Sequence, residues 1–407
     1  MSSDVLVDRE YRWRLRIYLE EVCAELCRFR YMADGGQAPD AVRIQREVAV
    51  GPGAFIDILV EPPDSPSYAV EIKFGYPPDV MVDHLGTKFS ERAGAAANIE
   101  RLVILVRLSD YPDWAETETA IRKVVNPGLE IEIWDEADLL RMINKYFHVD
   151  VDTMTRDDLL TVRRAINRAK WQFAYGDQQR DHYLAENLLW HFGAWNLRRL
   201  CEQGLSPDDI LSPGRYSGIA IVMADLCSFS SYVRDTRDED LVRHSLTAFY
   251  SRTRHAIHSA GGMLYQFVGD EVVGLFGMPD NGPGYIEHAM DCARALVDIG
   301  LSVSDGWQRS LDRVQDKSGV HIGISVGELN LMQLLPFAGN YTGFVGDAMN
   351  MSARLMNEAG PGEIVISNSF YQRLNFGERQ KFAELPAVEA RNVGRIKCWK
   401  LQPGGPL

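Results

Sequence analysis

The sequence lacks an apolar run of the length, about 18 residues, that a membrane-spanning helix needs. Its start, MSSDVLVDREYRWRLR, also lacks the apolar stretch of a signal peptide. Cysteines are few, six in 407 residues, and none has the spacing of metal ligands. We therefore expect reduced thiols and a cytoplasmic protein with no membrane association.

Positive charge is also scarce, with 43 Lys and Arg against 57 Asp and Glu and a net charge of −14. This balance excludes a general polyanion binder, so an anionic ligand would need a local, shielded site. Hydrophobic residues make up 46% of the chain and charged residues 25%, which excludes a disordered or collagen-like protein. The length predicts roughly two or three folded domains.

Residues 1–150 alternate between helix and strand patterns, which predicts an α/β domain. The helix is expected from Tyr11 to Phe29. Strands are expected at Val42 to Val50, Phe55 to Val60, Tyr68 to Lys73, Arg101 to Val106 and Leu129 to Trp134.

Residues 151–214 predict a helical connector, because the stretch from Thr155 to Leu205 has charged and apolar residues at helical intervals and no strand signal. The segment GLSPDDILSPGRYSG marks its end. Residues 215–407 return to strands and helices, with helices expected at Asp238 to Ser259 and Ile286 to Leu301 and a strand at Gly319 to Val326. The predicted fold class is α/β, in the broader sense of α+β.

Two carboxylates stand out by their positions in this last segment. Asp225 ends a short apolar strand, and Asp270 occupies a tight hairpin after Gly269. Neighbouring antiparallel strands would bring both acids to one sheet edge, where hard divalent cations find the oxygen ligands they prefer. The alternative is a helix-capping Asp225 and an ordinary turn residue at Asp270.

The order of five motifs resembles the class III nucleotidyl cyclases. The motifs are MADLCSFS, GGMLYQFVGDEVVGLFG, HIGISVGE, GFVGDAMNMSAR and RNVGRIKCWKL, and they cover roughly residues 215–402. The resemblance implies a βαββαβ domain that works as a dimer. It also implies conversion of a nucleoside triphosphate into a 3′,5′-cyclic nucleotide and pyrophosphate.

By this resemblance, Asp225 and Asp270 are metal ligands, and the carbonyl of Leu226 is a further one. Two ions, Mn²⁺ or Mg²⁺, are implied for each active site. Such ions can act on the nucleophilic hydroxyl and the leaving phosphate together.

The resemblance assigns catalytic roles to Asn350, which would orient the ribose, and Arg354, which would stabilise the transition state. Arg391 would bind the triphosphate, and Phe229 would lie beside the nucleotide. In the family the Asn and Arg come from the other subunit. A chain with one motif set therefore implies a homodimer with two composite sites.

The positions that read the base fit neither purine pattern of the family. Adenylate cyclases carry Lys and guanylate cyclases Glu where this chain has Gln266, beside Tyr265, and the second reader falls at Thr342 or Gly343. In this respect the chain resembles the bacterial pyrimidine cyclases of Pycsar antiphage systems, which signal to a separate effector. The resemblance implies UTP as substrate and cUMP as product, with a cytidylate or an adenylate cyclase as alternatives.

The segment FIDILVEPPDSPSYAVEIKFG carries Asp57 and, on the next strand, Glu71 and Lys73. This pattern resembles the restriction-endonuclease-like PD-(D/E)xK core, with Glu21 as a candidate accessory acid. The resemblance implies either a nucleic-acid-processing domain or a degenerate relative that senses infection and gates the cyclase. A solvated Glu and Lys face is the alternative, and whether the chain takes a nucleic acid stays open.

Overall fold

The structure, a computed structural model, describes residues 3–35, 42–51, 53–91, 99–176, 182–236, 238–311, 318–333, 342–390 and 394–402. Its contacts divide the chain into two compact units. The first comprises Met1–Ala169 and Asp240–Arg252, and the second Lys170–Glu239 and Thr253–Leu407. The domain boundaries at residues 150 and 214 stay a prediction, because compactness does not test where a segment can fold alone.

The first unit is an α/β layer structure. Its elements are α1 Ser3–Ala33, β1 Arg43–Gly51, β2 Ala54–Glu61, β3 Tyr68–Ile72, α2 Pro78–Phe89, β4 Arg101–Leu105, α3 Trp114–Val124, β5 Glu130–Trp134, α4 Glu136–Phe147 and most of α5 Arg156–Tyr175. The sheet order is β1-β2-β3-β4-β5. The first three strands pair antiparallel, and β3, β4 and β5 pair parallel.

Both faces of this sheet are covered, which explains the continuous apolar run RLVIL in β4. Side chains of α1, α4 and α5 pack on one face, and those of α2 and α3 pack on the other. The five predicted strands of this segment are confirmed, each with its ends within about two residues of the expected ones.

The second unit carries the larger sheet. Its elements are α6 His182–Glu202, β6 Gly214–Leu226, α7 Phe229–Thr236, the end of α8 Glu239–Ser259, β7 Met263–Val268, β8 Glu271–Phe276, α9 Tyr285–Leu311, β9 Val320–Gln333, β10 Thr342–Val345, α10 Asp347–Glu358, β11 Ile364–Ser367, α11 Asn368–Tyr371, α12 Phe376–Arg379, β12 Phe382–Glu384, β13 Val388–Ala390, β14 Gly394–Ile396 and β15 Cys398–Leu401. The sheet order is β12-β15-β11-β9-β6-β8-β7, with β10 on the end of β9.

The mixed α and β class is confirmed. Several elements are longer than expected, and α1 is one of them, since it runs from Ser3 to Ala33 rather than from Tyr11 to Phe29. β9 continues beyond Val326 because its second half pairs with both β10 and the start of β6, and α9 continues past Leu301 to Leu311. Within the described ranges no helix combines the length and apolarity needed to cross a bilayer.

Candidate active site

Asp225 ends the central strand β6, between β8 and β9. The register sets Asp225 opposite Glu271 on one side and opposite His321 on the other. The imidazole Nε2 of His321 lies 3.1 Å from Asp225 Oδ2. A half-buried carboxylate with a basic neighbour is thereby held at the end of a rigid sheet.

Asp270 reaches the same place from the β7–β8 hairpin. The two-residue turn begins with Gly269 at φ 64°, as a type II′ turn requires. The carboxyl groups of Asp270 and Asp225 lie close enough for the charge of one to affect the ionisation of the other. Burial, and then the charge of Asp225, raises the pKa of Asp270 to about 6. Two acids are thus packed together, and a cation between them would relieve their repulsion.

Glu271 adds to the negative charge of this sheet end. Burial, followed by the charges of Asp225 and Asp270, raises the pKa of Glu271 above its ordinary value. His321, a basic residue beside the acids, acts in the opposite direction and lowers the pKa of both Asp270 and Glu271. The arrangement suits a divalent cation better than a bare anion.

The loop that follows Asp225 turns sharply into α7. The Cys227 amide donates to the Gly319 carbonyl at 2.9 Å, and Ser228 adopts a left-handed conformation at φ 60°. A non-glycine residue in this region is strained, and such strain accompanies functional turns. The N-terminus of α7 follows directly, and a helix carries partial positive charge at this end.

Phe229 opens α7 and is almost fully buried. Its ring lies 5.7 Å from Tyr232 and 5.8 Å from Trp307, as part of an aromatic cluster beneath the loop. Phe229 therefore supports the Asp225 loop from below.

The candidate base-reading residues meet at a bulge in β7. The pairing with β8 shifts between Leu264 and Gln266, so that Tyr265 is the extra residue. The Tyr265 hydroxyl accepts a hydrogen bond from the Phe344 amide at 3.2 Å, and the two rings pack edge to face at 5.2 Å.

This contact joins β7 to β10, which carries Thr342 and Gly343 opposite the end of β9. Gln266 follows the bulge and is half-buried, and Gly343 is buried. Of the candidate residues, the side chain of Thr342 and all of Arg391 lie outside the described residues.

Helix α10 packs directly on β9 because two glycines there leave room. A β-carbon on Gly323 would lie 2.1 Å from the Ser352 carbonyl, and one on Gly327 would lie 2.7 Å from Ala348 Cβ. The Ser352 hydroxyl also donates to the Ile221 carbonyl at 3.0 Å. These contacts fix which face of α10 is turned toward the sheet.

Asn350 and Arg354 lie on another face of α10. Each is two residues from Ser352, or about 200° around the helix, and therefore points away from the sheet that carries Asp225. Asn350 is exposed and Arg354 is half-buried. The structure thus brings the two acids together and places Asn350 and Arg354 on the side of α10 opposite Ser352.

Comparisons with known proteins find similarity in the same part of the chain. Residues 211–403 match the family described as adenylate and guanylate cyclase catalytic domain. The C-terminal half of the chain therefore has a cyclase catalytic-domain fold. The active-site elements β6 to β10 and α10 all lie within it.

The chain is also similar to individual cyclases. It is 22% identical over 205 residues to an adenylate cyclase of Mycobacterium tuberculosis (strain ATCC 25618 / H37Rv), across 50% of this chain and 43% of that protein. It is 21% identical over 272 residues to adenylate cyclase 1 of Rhizobium meliloti (strain 1021), across 64% and 36%. The chain thus spans less than half the length of these curated relatives.

Among solved structures, the guanylyl cyclase Cya2 is 22% identical, across 48% of this chain and 97% of that one, with a TM-score of 0.40. The adenylyl cyclase CyaB from P. aeruginosa is 17% identical, across 48% and 98%, with a TM-score of 0.39.

Two neighbours of the acid pair in this cyclase domain were not predicted from the sequence. His321 and Glu271 flank Asp225 only through the strand register, which sequence spacing does not show. The signal that was present is the position of each residue at the start of a strand beside a turn. Pairing both strands with β6 would have found them.

Outside the cyclase domain, the predicted Asp57, Glu71 and Lys73 also come together. Lys73 Nζ lies 2.5 Å from Glu71 Oε2 and 3.4 Å from Asp57 Oδ2, and the Ile72 amide donates to Asp57 at 2.8 Å. All three side chains are at most 1% exposed. The alternative of a solvated Glu and Lys face is therefore excluded, because the cluster lies inside the unit.

Lys88 of α2 closes this cluster from the other side. Its ammonium lies 2.7 Å from Glu71 Oε2 and 3.5 Å from Asp57 Oδ1, between the two carboxylates. Arg16 adds a further cation 3.3 Å from Asp57. Burial raises the pKa of Asp57. The charges of Lys73, Lys88 and Arg16 outweigh this effect and hold the pKa well below its ordinary value. Glu21 instead accepts a hydrogen bond from Ser251 at 2.7 Å.

Proposed function

We propose that the chain is a pyrimidine nucleotide cyclase that converts UTP into 3′,5′-cyclic UMP and pyrophosphate. In this reaction the ribose 3′-oxygen bonds to the α-phosphorus while the bond from that phosphorus to pyrophosphate breaks, and the 3′-hydroxyl proton passes to solvent. The observation that carries the proposal is the position of both acids at one sheet end, Asp225 at the end of β6 and Asp270 in the turn before β8, within the residues that match a cyclase catalytic domain.

The donor set at this sheet end fits Mg²⁺ or Mn²⁺. Asp225, Asp270 and the carbonyl of Leu226 offer oxygen ligands, and the pKa of Asp270 is raised by burial and then by the charge of Asp225, which a bound cation would offset. Bound metal would make the hydroxyl a better nucleophile and neutralise the phosphates. His321 holds Asp225 in one orientation from the neighbouring strand.

Asn350 and Arg354 would act on a nucleotide held by a second copy of the chain. Their position on the outward face of α10 supports this exchange, since both point away from their own sheet. Arg354 would donate planar N–H groups to the phosphate oxygens, and Asn350 would orient the ribose. The working form would then be a homodimer with two composite sites.

The preference for a pyrimidine rests on Tyr265 and Gln266. Tyr265 occupies the bulge and is joined to β10, so its ring fills space beside the second base-reading strand. A bulky ring in the pocket rejects a purine by steric exclusion, which is stronger than the loss of one hydrogen bond. The Gln266 amide can pair with uracil or cytosine, so CTP is the first alternative. The curated relatives named as adenylate cyclases favour ATP as a further alternative.

The deciding experiment supplies the full-length protein with Mn²⁺ or Mg²⁺ and each of UTP, CTP, ATP and GTP separately. The expected products are cUMP in excess and pyrophosphate in equal amount, with poor conversion of ATP and GTP. Cyclic AMP as the main product would refute the pyrimidine assignment. No cyclic product from any nucleotide would refute the cyclase assignment.

The resemblance to Pycsar cyclases supports a role in antiphage defence, with cUMP acting as a messenger for a separate downstream effector. A cytoplasmic location follows from the need for nucleoside triphosphates. Infection of cells that carry the effector tests this role, and unchanged phage growth after inactivation of Asp270 would refute it.

A second candidate function belongs to the first unit, which would sense or process nucleic acid. The convergence of Asp57, Glu71 and Lys73 favours a PD-(D/E)xK relative. Because Lys88 lies between the two carboxylates and the cluster is buried, sensing fits better than cleavage. Metal-dependent DNA cleavage that Lys73→Ala abolishes would instead establish a nuclease.

A further inference from the structure

Strand β7 is the edge strand of the large sheet, and side chains of α6 hold its outer rim. The ring Nδ1 of His191 lies 2.6 Å from the Leu264 carbonyl, and the Asn196 amide donates to the Gly262 carbonyl at 3.1 Å. Carbonyls two residues apart point the same way in an extended chain. Leu264 lies in β7 and Gly262 directly precedes its first residue, Met263, so the two side chains bind successive carbonyls along this edge.

A regular helix could not make both contacts. Residues five apart are separated by about 140° around a helix, so His191 and Asn196 would not share a face. Gly193, between them, has φ 68° and ψ 163° and breaks the helical path. The kink changes the direction in which side chains after Gly193 point, so that both His191 and Asn196 reach β7.

His258 of α8 fixes this kink. Its ring Nε2 lies 3.2 Å from the His191 carbonyl, and a β-carbon on Gly193 would lie 2.9 Å from its Nδ1. The kink is thus specified by the left-handed conformation of Gly193 and by its packing against His258.

The hydrogen bond to Leu264 also specifies the form of His191. A carbonyl can only accept, so the ring donates from Nδ1–H. Burial lowers the pKa of His191, so the neutral ring carries this proton. His191 is therefore an uncharged donor directed at one backbone atom.

The contacts that α6 makes with β7 end at Leu264, directly before the candidate base-reading residues Tyr265 and Gln266. Tyr265, the bulged residue, follows Leu264 directly, and its hydroxyl accepts from the Phe344 amide. Gln266 comes next, and Asp270 lies at the tip of the same hairpin. A displacement of Leu264 would therefore also move Tyr265 and Gln266, the candidate base-reading residues.

We propose that His191 and Asn196 are positioning residues that hold β7 so that Tyr265 and Gln266 select the base. This inference rests on the proposed cyclase activity. It assigns to α6 a role in substrate selection that the motifs of the cyclase family do not include.

The first test compares three variants of the full-length enzyme. His191→Leu removes the donor and keeps a bulky apolar side chain, His191→Asn restores an N–H donor, and Glu202→Gln alters an exposed residue of the same helix. We expect His191→Leu to raise the KM for UTP by about tenfold and to raise the ratio of ATP to UTP turnover, with kcat reduced less than about threefold. His191→Asn should recover most of the loss, and Glu202→Gln should match the wild type.

The second test follows amide hydrogen exchange without nucleotide, so it does not depend on the activity. Residues 263–268 should exchange faster in His191→Leu than in the wild type or Glu202→Gln, while residues 322–326 of β9 should not change. Unchanged exchange in β7 would overturn the proposal, as would a uniform loss of kcat with an unchanged ratio of ATP to UTP turnover. A wild type that cyclises none of the four nucleotides would refute the proposed function, and exchange would still decide whether α6 holds β7.

Discussion

The acid pair of the cyclase domain is destabilising for the fold when no cation is bound. Burial, and then the charge of Asp225, raise the pKa of Asp270, and Glu271 adds a third carboxyl group nearby. Carboxyl groups that are held close together despite their repulsion are typical of functional sites. There a protein loses some stability and gains activity. His321 offsets only part of the negative charge.

Replacement of Asp270 by Asn should therefore have opposite effects on activity and stability. Loss of a metal ligand should remove several kcal/mol of transition-state stabilisation, which is a fall in turnover of roughly 100-fold or more. Without divalent ions the melting temperature should rise, because a repelling carboxylate has become a neutral amide. Assays of cyclic product and thermal unfolding with and without Mn²⁺ measure both effects.

Asp280→Asn is the matched control, since Asp280 is an exposed acid of the same unit. It should leave turnover and the Mn²⁺ response of the melting temperature unchanged. If Asp270→Asn kept normal turnover, or kept the stabilisation by Mn²⁺ seen in the wild type, the metal assignment would be wrong.

At the residue scale, local chemistry made part of this site predictable. A Gly-Asp turn and an Asp at a strand end identify Asp270 and Asp225, because both signals lie within a few residues. His321 is 96 residues from Asp225, so their contact depends on strand pairing that no local pattern records. Lys88 was missed for the same reason, since it reaches Asp57 from a separate helix.

At the element scale, the seating of α10 on β9 decides where Asn350 and Arg354 point. Gly323→Ala would force its new methyl group against the Ser352 carbonyl, which lies 2.1 Å from the β-carbon position. We expect a loss of at least about 2 kcal/mol in unfolding free energy, together with reduced turnover. Chemical denaturation and product assays check the two effects.

Gly306→Ala in α9 provides the control with the opposite sign. A β-carbon on Gly306 would meet no atom within 4 Å. The substitution should stabilise the helix by about 0.5–1 kcal/mol and leave activity unchanged. Equal and small effects of the two substitutions would contradict the close packing of α10.

A buried ion network joins three elements of the first unit: α1, β1 and the segment 240–252 of α8. Glu20 lies 2.8 Å from Arg46 and 2.8 Å from Arg252, and Arg252 lies 2.6 Å from Glu47. Burial raises the pKa of Glu20, but the charges of Arg252 and Arg46 outweigh this effect and lower it to about 2. Removing one partner would leave buried arginines uncompensated.

Glu20→Gln should therefore lower the free energy of unfolding at neutral pH by about 3 kcal/mol. The folded pKa lies below the unfolded value, so the Glu20 contribution is complete above about pH 4.5 and disappears as the pH falls toward 2. The stability difference between wild type and variant should shrink over that interval. A difference that does not vary with pH would contradict the network.

Periodicity predicted most elements, because helix and strand patterns are local. The bulge at Tyr265 was not predictable, since it is a property of how β7 pairs with β8. The kink at Gly193 was also missed, because a lone glycine within a helical pattern does not show what it packs against.

At the scale of the whole molecule, the changes of sequence pattern along the chain predict three successive segments. The contacts between residues instead divide the chain into two units, and residues of α8 belong to both. The segment Asp240–Arg252 follows part of the cyclase domain in the chain but belongs to the first unit. The contact between Glu20 and Arg252 spans 232 residues, a separation that composition and spacing cannot indicate.

The central claim is that the acids of one chain act with the amide and guanidinium of another. The direct measurement unfolds the Asp270→Asn and Arg354→Ala variants, each inactive alone, mixes them and refolds the chains together. Half of the dimers should pair the two variants, each with one intact site, so about a quarter of wild-type turnover should return. Activity that stays absent after mixing, while the mixed dimer forms, would contradict the account.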